Sequence, residues 1–481
     1  MTQMNRSDHD ILIYLWNSKH STSVPVGTLS LQAADNDDYW TFKYHSDFLK
    51  MPVSRFFDPL FKLIKNPTES FSSNSHFSIF MDSMPDSWGQ NLHRLAVKMK
   101  KTNVDNKQHK ILYQTSYVDY YHQRATESPV STLLMVTDPL RKGGLRFKTL
   151  ESGPFLEQDT IKAVPGIDYL DVIEAGMNIL ERDEESAETE QTLKTLFSPS
   201  ASLGGSRPKC SVRDQKDQLW IAKCPSLYDQ VDKGAWEYLC WLMAKQTGIE
   251  VPDAGLQKGI RDHHIFLSKR FDRNDQDRIH FISANTAIRM IAQSDHLHLP
   301  GYLHLAEFIQ FHGSEPKKDL HQLWRRLFFN LAISNHDDHL NNHGFLLTEK
   351  GWKLAPAFDL NPATLPSKGR RTLSIEHGSG KRDPESAFEI GKFMQLSEKE
   401  MKQISEEVYD SISSWKKKAV QLEIKTVEIE ALSRSFILPA KFRPITEKPK
   451  EIANQPVKRS FFRDLKTNKN IGNDESVNDQ N

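Results

Sequence analysis

A chain of 481 residues can bury a large core and divide into two or three domains. Its 63 Lys plus Arg balance 63 Asp plus Glu, so no net field draws it toward nucleic acid or an acidic membrane surface. No apolar run approaches a membrane span, the polar start Met1-Thr2-Gln3-Met4-Asn5-Arg6 is not a secretory leader, and Cys210, Cys224 and Cys240 lack metal-ligand spacing. The expectation is a cytoplasmic protein with reduced, buried thiols.

The first 150 residues open with short β-patterned runs, Ile11 to Trp16, Gly27 to Leu31 and Tyr39 to Tyr44, which suggest a small sheet. Asp82-Ser83-Met84-Pro85-Asp86-Ser87-Trp88-Gly89 leads into a helix expected from about Gln90 to Lys100. Leu133-Leu134-Met135-Val136 and Gly143-Gly144-Leu145-Arg146-Phe147 read as further strand and turn material. No catalytic signal stands out here.

A second region, 151–275, is expected to begin with a helix from Asp159 to Glu184 that Pro165 breaks or kinks, followed by a solvated acidic run from Glu181 to Glu190. Next comes Ser200-Ala201-Ser202-Leu203-Gly204-Gly205-Ser206-Arg207-Pro208-Lys209, then a strand, Leu219-Trp220-Ile221-Ala222-Lys223-Cys224-Pro225. Glycines let backbone N–H groups approach phosphate oxygens, and a lysine held by a sheet neutralises their charge. The loop lacks the spacing of a Walker A sequence, and a plain Gly-Gly turn with a strand lysine reaching to the surface explains it too. A helix opening at Trp236-Glu237-Tyr238-Leu239 and ending by Gly248 carries Glu237, either a partner for Lys223 or an acid favoured by the helix dipole. Ile265-Phe266-Leu267-Ser268-Lys269-Arg270-Phe271-Asp272-Arg273 reads as a strand with a charged end, suited to a hinge whose backbone could pair with adenine.

Helices are expected to fill most of 276–439, and the polar stretch 440–481 reads as a disordered tail. Leu320, Leu323, Trp324, Leu327, Phe328 and Leu331 recur at spacings of three and four, predicting an amphipathic helix that ends near Ser334. The polar run Ser334-Asn335-His336-Asp337-Asp338-His339-Leu340-Asn341-Asn342 begins where it stops. A hairpin follows, Gly344 to Leu347 and Trp352 to Leu354 across a turn at Glu349-Lys350-Gly351, and delivers Ala357-Phe358-Asp359-Leu360.

This arrangement suits phosphoryl transfer. One Asp can accept a proton from an attacking hydroxyl, while an Asn and a second Asp supply the hard oxygen ligands that magnesium prefers. Protein kinases place an Asn five residues after the catalytic Asp, the separation of Asp337 and Asn342, and Asp359 sits where they keep a magnesium Asp. An alternative is a metal-dependent phosphohydrolase using His336, Asp337, His339 and His343. A polar loop that merely caps a helix end is the simplest explanation of the same residues.

Several of these stretches resemble the HipA family of bacterial toxin kinases. Ser202 to Lys209 is similar to its Ser-x-x-Gly-x-x-x-Lys loop, Asp337 to Asn342 to its Asp-x-His-x-x-Asn catalytic segment, Phe358-Asp359 to its magnesium-binding acid and Lys269 to Arg273 to its hinge. Asp82 to Gly89 and Gly143 to Phe147 also look like family sequence. The resemblance implies an α+β, two-lobed protein-kinase-like fold, with a small N-terminal β-rich lobe and a mostly helical C-terminal lobe. It implies an ATP- and Mg2+-dependent serine/threonine-protein kinase, the toxin of a toxin–antitoxin system, with a protein substrate that in studied members is an aminoacyl-tRNA synthetase. Asp337 would be the catalytic base and Asn342 and Asp359 the metal ligands. Nucleotide contacts would fall to Ser202, Leu203, Gly204, Gly205, Lys223, Lys269, Phe271, Asp272, His339 and Phe358, and Ser202 would be the autophosphorylated serine. The implied partner is a HipB-type helix-turn-helix antitoxin, through which DNA is contacted only indirectly. A third possibility is an inactive kinase-fold repressor partner, which would be expected to have lost one of Lys223, Asp337, Asn342 or Asp359.

Overall fold

The computed structural model describes residues 10–32, 39–57, 68–72, 78–102, 133, 136–156, 164–200, 205–274, 277–291, 301–362, 373–375 and 383–436. Residues 1–442 form one compact unit. The expected tail at 440–481 lies outside the described residues, as do Leu134 and Met135 of the expected strand near Val136.

The chain begins with β1 (Ile11–Asn17), β2 (Thr22–Gln32), β3 (Tyr39–Tyr44) and β4 (Thr68–Ser72), which join β5 (Leu145–Lys148) in an antiparallel sheet ordered β4-β3-β2-β1-β5. Alternation in β1 buries Ile11, Ile13 and Leu15 on one face. Helix α1 (Ser87–Thr102) starts behind Asp86, whose Oδ1 accepts from Gly89 N at 2.6 Å. Its Trp88, Leu92 and Leu95 pack with residues of the next region, so the N-terminal stretch contributes to a core beyond its own sheet.

Of the helix expected from Asp159 to Glu184, residues 159–163 lie outside the described residues, and α2 is Leu170–Glu181. Pro165 and Gly166 are extended before it, and Gly166 bridges Arg213, because proline blocks a helical hydrogen bond and its carbonyl accepts from Arg213 N at 3.0 Å. The acidic run divides, part of it forming the first turn of α3 (Ala187–Ser200).

Strands β6 (Lys209–Arg213), β7 (Leu219–Lys223), β8 (Ala254–Lys258) and β9 (His264–Lys269) make an antiparallel sheet ordered β6-β7-β9-β8. Between β7 and β8 lies α4 (Lys233–Gln246), capped by Asp232, whose Oδ1 accepts from Ala235 N at 3.1 Å. A two-stranded ribbon, β10 (Arg273–Asn274) and β11 (Asp277–Arg278), leads to β12 (Phe281–Ser283).

Helices α5 (Ala284–Ile291), α6 (Tyr302–His312) and α7 (Pro316–Ala332) follow. The apolar stripe of α7 is buried as its spacing predicts. The expected hairpin is β13 (Gly344–Thr348) and β14 (Gly351–Leu354), and β12 completes its sheet. Then come α8 (Pro384–Gly391), α9 (Glu398–Ser413), α10 (Trp415–Gln421) and α11 (Thr426–Ala431). One hydrophobic cluster runs from Ile13 and Phe42 of the first sheet through Trp324 of α7 to Trp415 of α10. The fold is α+β.

Candidate active site

Lys209 and Lys223 are direct cross-strand partners on β6 and β7, so their side chains share one face of the sheet. The Lys223 ammonium meets Glu237 of α4 at 2.6 Å and also contacts Asp359, 136 residues further along the chain. Burial disfavours this ammonium, but the carboxylates of Asp359 and Glu237 outweigh it and hold the lysine above its ordinary pKa. Burial likewise opposes ionisation of Asp359, yet Lys223 and Lys209 hold its pKa down to about 2. Glu237 is shifted upward, because burial and the Asp359 charge outweigh what Lys223 returns. Asp359 is ionised at neutral pH, and it has positive φ (58°), a conformation that Asp tolerates better than most residues.

Asp359 is delivered by the hairpin. Ala355 N donates to Gly344 O at 2.9 Å and Ala357 N to Glu250 O at 2.7 Å, while Arg326 of α7 reaches Ala355 O at 2.7 Å. The stretch is thereby held on both sides before it turns.

The polar run after α7 is built locally. Asn335 Oδ1 accepts from Asp337 N at 3.1 Å, Asn335 Nδ2 donates to Asn330 Oδ1 at 3.2 Å, and Asn342 Nδ2 donates to Asp337 O at 2.8 Å. The Asp337 carboxylate points outward, its side chain 75 % exposed, with His339 Nε2 at 3.8 Å. Asp338 does the opposite and is 1 % exposed, its carboxylate accepting from Tyr302 OH at 2.7 Å and facing His343 Nε2 at 2.8 Å. Asn342, Phe358 and Asp359 line one small cavity together with Asn335 and Asp338.

The expected nucleotide residues divide. Ser202, Leu203 and Gly204 lie outside the described residues. Gly205 has φ of +79°, a left-handed conformation that favours glycine, and a Cβ there would stand 2.7 Å from Lys209 Nζ, the movable end of a long side chain. Phe271 and Phe358 lie together, ring centroids 5.7 Å apart. Lys269 ends β9, its N–H donating to Asp253 O at 2.8 Å. The Asp272 side chain is committed elsewhere: buried, it pairs with Arg270 (2.7 Å) and Arg273 (2.9 Å) and accepts from Gly143 N at 2.7 Å. Burial opposes its ionisation, but the two guanidinium groups drive its pKa well below the carboxylate range. The hinge acid thus clamps the Gly143 turn rather than facing the cavity.

The His/Asp cluster of the phosphohydrolase alternative does not converge. His336 is exposed, His339 leans toward Asp337 and His343 turns inward to Asp338. Among the described residues no three His, Cys, Asp or Glu side chains are grouped to hold a metal ion.

Sequence reasoning missed two contributions. Asp86 Oδ2 lies 3.9 Å from the buried Lys209 ammonium, and Trp88 N donates to Gly205 O at 3.1 Å, so the N-terminal segment borders the glycine loop. The aspartates 337 and 338 are adjacent in sequence, and only burial tells the outward one from the inward one.

Residues 201–416 match the family model of the HipA-like C-terminal domain, and this interval holds Lys223, Glu237, Asp337, Asn342 and Asp359. The chain carries a HipA-like C-terminal domain. Its fold is that of HipA: the HipA chain in the Shewanella oneidensis toxin–antitoxin complex of HipA, HipB and operator DNA superposes with a TM-score of 0.56 at 15 % identity, covering 88 % of this chain and 94 % of that one. Two curated proteins are similar in sequence. One, named "Putative kinase", from Haemophilus influenzae, is 27 % identical over 188 residues, and "Putative kinase Y4dM" from Sinorhizobium fredii is 26 % identical over 177. These matches take in 35 % and 34 % of this chain and span about half the length of the relatives, 54 % and 42 %. Among the described residues no helix is long and apolar enough to cross a membrane.

Proposed function

We propose that the protein is an ATP- and Mg2+-dependent kinase that phosphorylates serine or threonine hydroxyls of a protein. The observation that carries this reading is the convergence of Lys223, Glu237 and Asp359 from a strand, a helix and a post-hairpin turn, with Asn342 lining the same cavity as Asp359. A carboxylate and an amide oxygen on one cavity wall fit Mg2+, which is commonly held by one or two carboxylates and substrate phosphates. Mg2+–ATP, when bound, supplies the phosphoryl group and neutralises charge on it. Lys223, oriented by Glu237, receives phosphate oxygens. Asp337, facing solvent, accepts the proton of the incoming hydroxyl at a carboxylate oxygen. Phe271 and Phe358 offer apolar faces to a base, beside the backbone of Lys269.

Binding is tested by calorimetric titration with ATP, with and without Mg2+. Wild type should require Mg2+ for full affinity, whereas Asp359→Asn should lose most of that dependence, and equal dependence in the two proteins would refute the assignment.

The finer reading is a HipA-type toxin in the cytoplasm, partnered by a HipB-type antitoxin through which alone DNA is contacted, and acting on a protein substrate such as an aminoacyl-tRNA synthetase. Its support is the named HipA–HipB complex whose fold the chain shares, and the retention of Lys223, Asp337, Asn342 and Asp359 argues against an inactive repressor partner. In this reading the N-terminal lobe runs to about residue 275, with the β-rich subdomain 1–150 inside it, the C-terminal lobe covers 276–439, and 440–481 is a tail. Autophosphorylation at Ser202 would add nearly two negative charges to a loop that must cradle phosphates, switching the enzyme off. Mass spectrometry after incubation with Mg2+–ATP should find phosphate on Ser202, and phosphate only at distant sites would contradict it.

A further inference from the structure

Asp338 stands beside the proposed base, yet its carboxylate faces the core. It receives Tyr302 OH of α6 at 2.7 Å and lies 2.8 Å from His343 Nε2. Both partners are themselves buried, and the Tyr302 and His343 rings meet edge to face with centroids 5.5 Å apart. Asn330 of α7 donates to Tyr302 OH at 3.2 Å and is tied to Asn335, which in turn accepts from Asp337 N. His343 Nδ1 is buried and has no hydrogen-bond partner among the described residues. The tautomer this favours carries its proton on Nε2 and donates to Asp338, leaving Nδ1 unprotonated.

Asp338 directly follows Asp337, and His343 directly follows Asn342. A single buried carboxylate therefore clamps the chain neighbour of the proposed base to the chain neighbour of the proposed metal ligand. Asn342 Nδ2 to Asp337 O closes the same ring from the solvent side at 2.8 Å. We infer that Asp338 is a positioning residue that fixes the separation of Asp337 and Asn342, acting through His343 and Tyr302 without touching substrate. This inference rests on the kinase reading of Asp337 and Asn342.

The test follows ADP formation from Mg2+–ATP by the full chain, measuring kcat and KM, with thermal melts of each variant. Asp338→Asn presents one acceptor oxygen where two donors converge, and misplacing the loop by about an ångström should lower kcat by roughly 100-fold. KM for ATP should stay within about threefold, because Lys223 and the aromatic pair are untouched. His343→Gln keeps a donor toward Asp338 and should retain kcat within about tenfold, whereas His343→Leu should fall as far as Asp338→Asn. Wild-type kcat in Asp338→Asn overturns the inference. Should Asp338→Asn not fold, the histidine pair decides, and equal kcat for Gln and Leu overturns it. A wild-type chain that forms no ADP refutes the kinase reading itself, an outcome distinct from an active wild type with indifferent variants.

Discussion

The two halves of the candidate site are built on opposite principles. The half around Lys223 is assembled by charge across great sequence distance: Glu237 lies 14 residues from the lysine and Asp359 136. The half around Asp337 is assembled by hydrogen bonds within a few residues, Asn335 to Asp337 and Asn342 back to Asp337, braced from behind by α6 and α7. The first half exists only once the sheet, α4 and the hairpin have come together. The second needs only the end of α7 and a wall to lean on. The Lys223 charge cluster is thus placed by tertiary packing, and the Asp337 carboxylate by local geometry.

Lys223→Met attacks the first half. It leaves Glu237 and Asp359 facing each other without their cation, and breaking a mostly buried pair typically costs about 3–5 kcal/mol. Denaturant melts should show that loss, and calorimetry should show Mg2+–ATP affinity reduced by roughly 10–100-fold. Unchanged stability would mean that the bridge does not hold the half together.

A position outside both halves serves as a control. His280 is buried against Phe57 and Trp352, both its ring nitrogens lack a hydrogen-bond partner among the described residues, and burial pushes its pKa down to about 3. The folded chain keeps it neutral while the unfolded chain protonates it near pH 6.5. Its contribution is therefore complete above about pH 6.5 and lost as pH falls toward 3, about 2 kcal/mol by pH 5. His280→Phe should flatten the acid side of the stability profile relative to wild type, with Mg2+–ATP affinity unchanged at neutral pH. Parallel profiles would contradict the buried neutral histidine.

Asn335→Ala attacks the second half more gently. It removes the acceptor for Asp337 N and the donor to Asn330, at a cost of about 1 kcal/mol. Turnover should fall several-fold with ATP affinity intact, since Lys223 is untouched. A loss of ATP affinity as large as that of Lys223→Met would erase the distinction between the halves.

The same contrast decides what could be read in the sequence. The α7 stripe, the β13–β14 hairpin and the five-residue step from Asp337 to Asn342 are short-range patterns, and each was legible. The order of glycine loop, strand lysine, helix acid and later acids suggested the Lys223 side without its geometry. Asp272 was not legible as a clamp, because its partners include Gly143, 129 residues away, and nothing near Asp272 marks the side chain as inward. A break at Pro165 was legible, but the pairing of the backbone there with Arg213, 48 residues on, was not. The roles of Asp86 and Asp338 depend on which way a side chain faces, and adjacent acids do not show that in sequence.

In the proposed mechanism Asp337 is the base of a phosphoryl-transfer site whose binding half stands without it. Transfer of labelled γ-phosphate from Mg2+–ATP by the purified chain, set beside Asp337→Asn, tests this most directly. The amide fills the same volume but cannot take the hydroxyl proton, so transfer should fall by roughly 10²–10⁴-fold while ATP affinity stays near wild type. Near wild-type transfer by Asp337→Asn would remove Asp337 from the role of base.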